Sequence, residues 1–133
     1  MSSSNIALVQ SLYAAFGRGE IAAIVKALSS DVDWTVNGQS KMYPCFGRWT
    51  GPVEVQNFFK LVADHEAFTD FSPNDFHAVG DLVFAFGHYA GTVRSTNKPF
   101  ACDWLHVFTV KEGKVARFRE FTDTAQFADA YIR

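Results

Sequence analysis

Residues 84–122 constrain the fold more than any other stretch, because they read as three consecutive apolar strands joined by two turns. Glu112-Gly113 is typical of a two-residue hairpin turn and would place Lys111 opposite Lys114. A second turn is predicted at Thr96-Asn97. Counting outward from the two turns gives the predicted cross-strand pairs: Val107 with Phe118, Leu105 with Glu120, Asp103 with Thr122, Phe86 with Val107, His88 with Leu105, and Ala90 with Asp103.

Side chains alternate along a strand, so this register divides the three strands into two faces. The first face carries Phe84, Phe86, His88, Asp103, Leu105, Val107, Phe118, Glu120 and Thr122. His88 and Asp103 are diagonal neighbours at about 7–8 Å, and Glu120 lies about 10 Å from His88. A histidine between two carboxyl groups in apolar surroundings can transfer protons, because burial raises the pKa of a carboxyl and a carboxylate neighbour raises that of histidine. The alternative is a polar cluster that only stabilises the sheet.

The second face mixes aromatic and charged side chains, which is typical of a protein interface and predicts a homodimer. It carries Tyr89, Trp104, His106, Phe108, Arg117, Arg119, Phe121 and Asp123. A β-bulge in one strand would exchange the two faces beyond that point. In that case His106 and Asp123 would be the pocket pair.

The remainder of the chain supplies helices ahead of the strands. The predicted elements are helices at 6–16, 20–28 and 51–65, strands at 32–36 and 71–79, and a C-terminal helix at Thr124–Tyr131. Residues 37–51 contain three Gly, a Pro and the aromatic residue Tyr43, and predict a loop that covers a pocket. Helices followed by an antiparallel meander indicate an α+β fold, with the helices packed on one face of the sheet.

Composition excludes several classes of function. A chain of 133 residues with a formal charge of −2 and dispersed basic residues predicts a single domain, 1–133, that binds neither nucleic acid nor membrane. Cys45 and Cys102 are too few for a disulfide framework or a metal site, which predicts reduced thiols and a cytoplasmic protein. The 14 Phe suggest a wide apolar cavity. No nucleotide loop, zinc spacing or cofactor fingerprint occurs, so neither a metal nor a cofactor is expected.

Several local strings resemble the SnoaL-like polyketide cyclase and ketosteroid isomerase relatives within the nuclear transport factor 2-like superfamily. The matching strings are Leu12-Tyr13-Ala14-Ala15-Phe16 with Gly19-Glu20, Asp31-Val32-Asp33-Trp34, Gly51-Pro52 ahead of Phe58-Phe59, Gly80-Asp81, His106, Gly113-Lys114-Val115, and Arg119-Glu120-Phe121-Thr122-Asp123-Thr124-Ala125. The resemblance spans nearly the whole chain. It implies a cone of curved antiparallel sheet closed by three helices around a pocket, commonly as a homodimer.

The resemblance implies less about function, because this fold hosts many activities. Ketosteroid isomerase uses a carboxylate base with a Tyr and a protonated Asp as donors. The position of its base falls near Val36 and Asn37 and that of its acid near Leu105, while Tyr13 is one residue out of step with its Tyr. The cyclase relatives are more similar, since they use an acid on the last strand, where Glu120 stands, and a His on the preceding strand, where His106 is nearest. The register assumed above places these two on opposite faces.

These observations predict cofactor-independent acid–base chemistry on a small, largely apolar carbonyl compound, of the isomerase, cyclase or dehydratase type. Glu120 is the predicted base, His88 the polarising donor and Asp103 its orienting partner, with His106 as the alternative histidine. The predicted substrate-binding residues are Trp34, Tyr43, Phe86, Leu105 and Phe118. The alternative function is that of a non-catalytic protein that binds an apolar ligand in the same cavity.

Overall fold

The computed structural model describes residues 2–41 and 43–133. The elements in chain order are α1 (Ser2–Gly17), α2 (Ile21–Lys26), β1 (Leu28–Val36), β2 (Gly47–Thr50), α3 (Gly51–His65), β3 (Glu66–Val79), β4 (Leu82–Val93), β5 (Pro99–Lys111), β6 (Lys114–Thr122) and α4 (Thr124–Tyr131). The predicted α+β fold is confirmed: three helices precede most of the sheet, and a short helix follows it.

The strands form one curved six-stranded sheet in the order β2-β1-β6-β5-β4-β3. All neighbouring strands are antiparallel except β1 and β6, which run parallel. Helix α1 packs on β3 and β4, α3 packs on β1, and α4 packs on β5. The inner face of the sheet is therefore covered by helices, none of which, in the described part of the chain, is long and apolar enough to cross a membrane.

Three elements differ from the sequence prediction. Helix α2 ends at Lys26, so that Leu28 begins β1 as a buried partner of Val115 rather than ending a helix. The predicted loop at 37–51 contains β2, which pairs with β1 and carries an ion pair from Arg48 to Asp33 at 3.1 Å; Met42, in the same loop, lies outside the described residues. Strand β3 begins at Glu66 rather than at residue 71, because a register shift after Phe68 interrupts the alternation by which a strand is recognised.

The turn at Glu112-Gly113 forms as predicted, but the register beyond it differs. Both residues have positive φ, 52° and 75°, as a type I′ turn requires, and Lys111 pairs with Lys114. Val110 pairs with Val115, whereas Thr109 pairs with Arg117. Ala116 is thus an extra residue in β6, a β-bulge, and the pairing continues as Phe108 with Phe118, His106 with Glu120 and Trp104 with Thr122.

The predicted pairing of β4 with β5 was wrong by two residues. The loop between them is residues 94–98, and Val93 donates its backbone N–H to the carbonyl oxygen of Lys98 at 2.9 Å. His88 consequently pairs directly with Asp103, not with Leu105. A shift of two leaves each side chain on its face, whereas the shift of one in β6 moves every later side chain to the other face.

The two faces of the sheet follow from these registers. The inner face, which the helices cover, carries Tyr89, Trp104, His106, Phe108, Phe118 and Glu120. The outer face carries Phe84, Phe86, His88, Asp103, Leu105, Val107, Arg117, Arg119 and Phe121. The predicted first face therefore combined the outer residues of β4 and β5 with the inner residues of β6.

Gly87 leaves the space in which the indole of Trp104 lies. A Cβ atom at Gly87 would lie 2.2 Å from Cζ2 of Trp104 and 2.5 Å from the backbone oxygen of Ser72. Because neither a stacked indole nor a strand backbone yields easily, we expect Gly87→Ala to lower the free energy of unfolding by about 1–3 kcal/mol or more. Urea denaturation measures this change. Gly17→Ala is the control, since a Cβ there meets no atom within 4 Å, and equal stability of the two variants would contradict this packing.

Candidate functional site

A pocket lies between the helices and the inner face of the sheet. Its walls are mostly aromatic and aliphatic, which suits an apolar ligand. The apolar lining residues are Leu12, Phe16, Ile24, Trp34, Val36, Phe58, Phe59, Val62, Phe68, Phe71, Phe108, Phe118 and Phe127. The polar ones are Tyr13, Tyr43, Glu66, Tyr89, His106 and Glu120.

His106 is held between Tyr13 and Glu120 by two short hydrogen bonds. Its Nε2 lies 2.8 Å from Oε1 of Glu120, and its Nδ1 lies 2.7 Å from the hydroxyl of Tyr13. The side chains of His106 and Glu120 are only 5% and 13% exposed. A carboxylate can only accept, so Nε2 carries the hydrogen and Nδ1 accepts from Tyr13. Burial, with the charge of Glu120, raises the pKa of Tyr13 well above its usual value, so its hydroxyl remains a donor.

The second oxygen of Glu120 faces Tyr89. The hydroxyl of Tyr89 donates to Oγ1 of Thr122 at 3.0 Å, and Thr122 in turn donates to the backbone oxygen of Asp103 at 3.2 Å. Since a phenol has one proton, the contact of 3.4 Å between Tyr89 and Oε2 of Glu120 is the weaker of its two contacts. Oε2 is therefore the oxygen of Glu120 that is free to take a proton.

Aromatic stacking fixes the position of this hydrogen-bonded chain. The ring of Trp104 stacks on that of His106 with a centroid separation of 3.9 Å. Trp34, on β1, stacks on Phe118 with a centroid separation of 4.0 Å, and Phe118 lies two residues before Glu120 on β6. Asn37 donates from both its backbone N–H and its side-chain amide to the backbone oxygen of Glu120, at 3.1 and 3.0 Å. One face of the histidine ring and the backbone of the acid are thus held before any ligand binds.

Glu66 is a second carboxyl group in the same pocket. It is the first residue of β3, is 3% exposed, and accepts a hydrogen bond at Oε2 from the hydroxyl of Tyr131 at 3.2 Å. Burial is the main cause that raises the pKa of Glu66 to about 8, and the charge of Glu120 raises it further. The hydrogen bonds of Tyr43 and Tyr131 act in the opposite direction and lower this pKa. Glu66 is therefore neutral at pH 7.

The predicted pair His88 and Asp103 lies outside the pocket, which corrects the sequence prediction. Nδ1 of His88 does contact Oδ1 of Asp103 at 3.0 Å, but the two side chains are 37% and 94% exposed on the outer face. Phe86 and Leu105, predicted to bind substrate, lie on the same outer face. The reason is the bulge at Ala116, which turns Glu120 inward, away from these four residues.

The remaining predicted site residues do line the pocket: Trp34, Tyr43, Phe118, His106 and Glu120. The bulge alternative placed His106 in the pocket, where it lies, but paired it with Asp123, which instead caps α4 by accepting a hydrogen bond from the backbone N–H of Ala125. The homodimer stays a prediction. The surface available for it differs from the predicted one, because Trp104 and His106 are buried, whereas Arg117, Arg119 and Phe121 lie on the outer face with His88.

Sequence reasoning missed the polar roles of Tyr89 and Glu66. Tyr89, predicted on the interface face, lies on the inner face together with the β5 residues of that predicted face. Glu66 gave one signal, a lone acid directly before Ala67-Phe68 in a strand that begins earlier than its alternation indicates. Acidic residues are ordinarily exposed, so the sequence does not distinguish Glu66 from a surface acid, and only the folded structure shows that it is buried.

The comparisons with known proteins agree on the family. The family model described as a SnoaL-like domain matches residues 9–118. A search of curated proteins finds no match. A solved nuclear transport factor 2-like (NTF2-like) protein from Burkholderia thailandensis E264 is 32% identical, with a TM-score of 0.88 over 100% of this chain and 99% of that chain. The predicted fold is therefore confirmed.

Two further solved structures are similar over nearly the full length. An NTF2-like protein from Burkholderia xenovorans LB400 is 28% identical, with a TM-score of 0.90 over 99% of this chain and 98% of that chain. TerC, co-crystallised with polyporic acid, is 25% identical, with a TM-score of 0.84 over 96% of this chain and 97% of that chain. The whole fold, helices included, is shared with these proteins.

Burial of Glu66 makes stability depend on pH. The folded state binds this proton more tightly than the unfolded state does, because the pKa is about 8 in place of the ordinary 4.5. The free energy of unfolding of the wild type, relative to Glu66→Gln, should therefore fall as pH rises from about 4.5 to about 8, by on the order of 3–5 kcal/mol. Urea denaturation across this range measures the difference. Glu112→Gln, at an exposed turn, should parallel the wild type, and a flat difference for Glu66→Gln would contradict a buried neutral carboxyl.

Proposed function

The chain belongs to the SnoaL-like family, and on that premise we propose that it is a cofactor-independent acid–base enzyme acting on a small, largely apolar carbonyl compound. The reaction would be of the isomerase, cyclase or dehydratase type. The observation that supports this most directly is the hydrogen-bonded chain from Tyr13 through His106 to Glu120 at the wall of an otherwise apolar pocket.

Glu120 is the proposed base, acting through Oε2. Oε1 is engaged by His106 at 2.8 Å, whereas Oε2 has only the long contact to Tyr89. In an apolar pocket a carboxylate held in place can abstract a proton from the carbon next to a carbonyl group and return it elsewhere on the substrate. Removal of one proton and delivery of a proton to another atom of the substrate require neither an oxidant nor a metal ion, and a proton held on the carboxyl can exchange with solvent before delivery.

Tyr13 and His106 set the strength of this base. With Tyr13 donating to Nδ1 and Nε2 donating to Glu120, both hydrogen bonds point toward the carboxylate. When Glu120 takes a proton, the hydrogen bond from His106 weakens, so the chain favours return of the proton. Tyr13 and His106 are positioning residues in this scheme, since they act through Glu120.

Tyr89 is the proposed donor to the oxygen that gains charge. Its hydroxyl lies beside Oε2 of Glu120, and burial, together with the charge of Glu120, raises its pKa, so it remains protonated. A phenol that turns from Thr122 to an enolate oxygen would stabilise charge in a site from which water is largely excluded.

The second candidate function is ligand binding without catalysis. It is favoured by the lining itself, in which thirteen of the nineteen pocket residues are apolar. TerC, of the same fold, was co-crystallised with polyporic acid, which makes that compound a rational first probe for this pocket. Binding alone would not require the hydrogen-bonded chain.

Replacement of Glu120 separates the two functions. Acetophenone is a small, apolar ketone whose methyl protons exchange with D₂O through its enolate, and the exchange is followed by proton NMR. We expect the wild type to accelerate this exchange and Glu120→Gln to lose about 100-fold or more of the acceleration. The Gln side chain can still accept from His106, so circular dichroism should show an unchanged fold.

The protein contains a matched control for this variant. Asp103→Asn removes a carboxylate that also contacts a histidine, but on the outer face, and should leave the exchange rate unchanged. Wild-type exchange rates in Glu120→Gln would refute the catalytic assignment.

Calorimetric titration with polyporic acid tests the binding alternative. A protein that only binds should bind polyporic acid equally in the wild type and in Glu120→Gln, and should not accelerate exchange. Exchange that depends on Glu120 would contradict this alternative.

A further inference from the structure

Glu66 is the one carboxyl group of the pocket that the proposed chemistry leaves unused. It lies in the wall with 3% of its surface exposed, at the junction of α3 and β3. Within the described part of the chain, it forms no ion pair with Lys, Arg or His. A buried carboxyl without a cation is costly in its charged form and is therefore held neutral.

The groups around Glu66 come from five parts of the chain. Tyr43 and Cys45 belong to the loop ahead of β2, Tyr131 to α4 and Glu120 to β6. His65 precedes it, with its ring 6.4 Å from that of Tyr131. On the neighbouring strand side, the guanidinium of Arg94 donates to the backbone oxygen of Ala63 at 3.0 Å. The phenols and the thiol are neutral, and the charge of Glu120 raises the pKa of Glu66 further.

Glu66 and Glu120 lie at two separate places along one aromatic wall. Tyr89 contacts Glu120 through its hydroxyl, and its ring lies 5.7 Å from that of Phe127. Phe127 stacks on Tyr43 at 4.6 Å, and Tyr43 lies 5.0 Å from Tyr131, which donates to Glu66. The pocket thus has two polar sites joined by rings.

The two carboxyl groups differ in hydrogen bonding. Glu120 is paired with a histidine, whereas Glu66 receives only phenol hydroxyls, and the bond from Tyr131 occupies its Oε2. A neutral carboxyl has one O–H to donate. With Tyr131 donating to Oε2 and Tyr43 beside the same carboxyl, a hydrogen on Oε1 can be offered to a ligand oxygen that takes the place of the Tyr43 hydroxyl.

We propose that Glu66 is a ligand-binding residue that donates a hydrogen bond to a second oxygen of the ligand, distinct from the oxygen of the carbonyl group that Glu120 acts upon. This inference rests on the proposed function and narrows its substrate class. The substrate is an apolar compound with two oxygen functions, an enolisable carbonyl at one end and a hydrogen-bond acceptor at the other. A role for Glu66 limited to anchoring α4 through Tyr131 is the structural alternative.

Two ketones of nearly equal shape test the proposal. Para-methoxyacetophenone has an acceptor oxygen where para-ethylacetophenone has a methylene group. Isothermal titration calorimetry gives both dissociation constants at about pH 6 and about pH 9.5, on either side of the pKa of about 8. We expect the methoxy ketone to bind about tenfold more tightly than the ethyl ketone at the lower pH. The preference should vanish at the higher pH, where an ionised Glu66 can only accept.

Two variants separate donation from anchoring. Glu66→Gln does not titrate and can donate from its amide, so it should keep the preference at both pH values. Glu66→Leu should lose it at both. Asp103→Asn, on the outer face, should behave as the wild type does.

Equal affinities for the two ketones in the wild type at the lower pH, or a preference that survives in Glu66→Leu, would overturn the proposal and leave Glu66 as an anchor for α4. These outcomes are independent of the exchange measured for acetophenone. If the wild type shows no preference for the methoxy ketone but accelerates exchange through Glu120, only this inference is refuted. If the wild type shows the preference but no exchange that depends on Glu120, only the catalytic function is refuted.

Discussion

The β-bulge at Ala116 is the constraint on which the site depends. One extra residue between Val115 and Arg117 rotates the rest of β6, so that Phe118 and Glu120 face the helices. Without it, Glu120 would pair with Leu105 on the outer face, in the neighbourhood of His88 and Asp103. The protein thus contains two histidine–carboxylate pairs, and the bulge determines that Glu120 joins His106 inside the pocket rather than lying near His88 on the outer face.

Two helices each bring a tyrosine hydroxyl to a polar side chain of the sheet. Helix α1 brings Tyr13 within hydrogen-bonding distance of His106, and α4 brings Tyr131 to Glu66. Because the rest of the wall is apolar, each carboxyl group takes its character from a few polar neighbours. Glu120 is hydrogen-bonded to His106, whereas burial among phenols raises the pKa of Glu66 and favours its neutral form. A carboxylate and a carboxylic acid in one pocket can accept and donate, respectively, at neutral pH.

Much of this fold could be predicted from the sequence, because hydrophobic period and turn residues are local signals. The turn at Glu112-Gly113 and the helix Thr124–Tyr131 form where predicted. The pocket face was not predictable in the same way, since apolar side chains flank His106 on both sides of β5, with Leu105 and Val107 on the outer side and Trp104 and Phe108 on the inner side. One sign of the bulge was present. Val115 and Phe118 are both apolar and both buried, although strict alternation would place two residues three positions apart on opposite faces. The resemblance to the cyclases, which paired a histidine at His106 with an acid at Glu120, indicated the correct partners where the register did not.

The most direct test of this account is the register of β5 against β6 in solution. Proton NMR of the labelled protein gives the nuclear Overhauser contacts between backbone protons across the two strands and between the rings of α1 and β5. The account predicts contacts that pair His106 with Glu120 and Phe108 with Phe118, together with contacts between the rings of Tyr13 and His106. Contacts that pair Leu105 with Glu120 would mean that β6 is not bulged, and would place the acid on the outer face and outside the pocket.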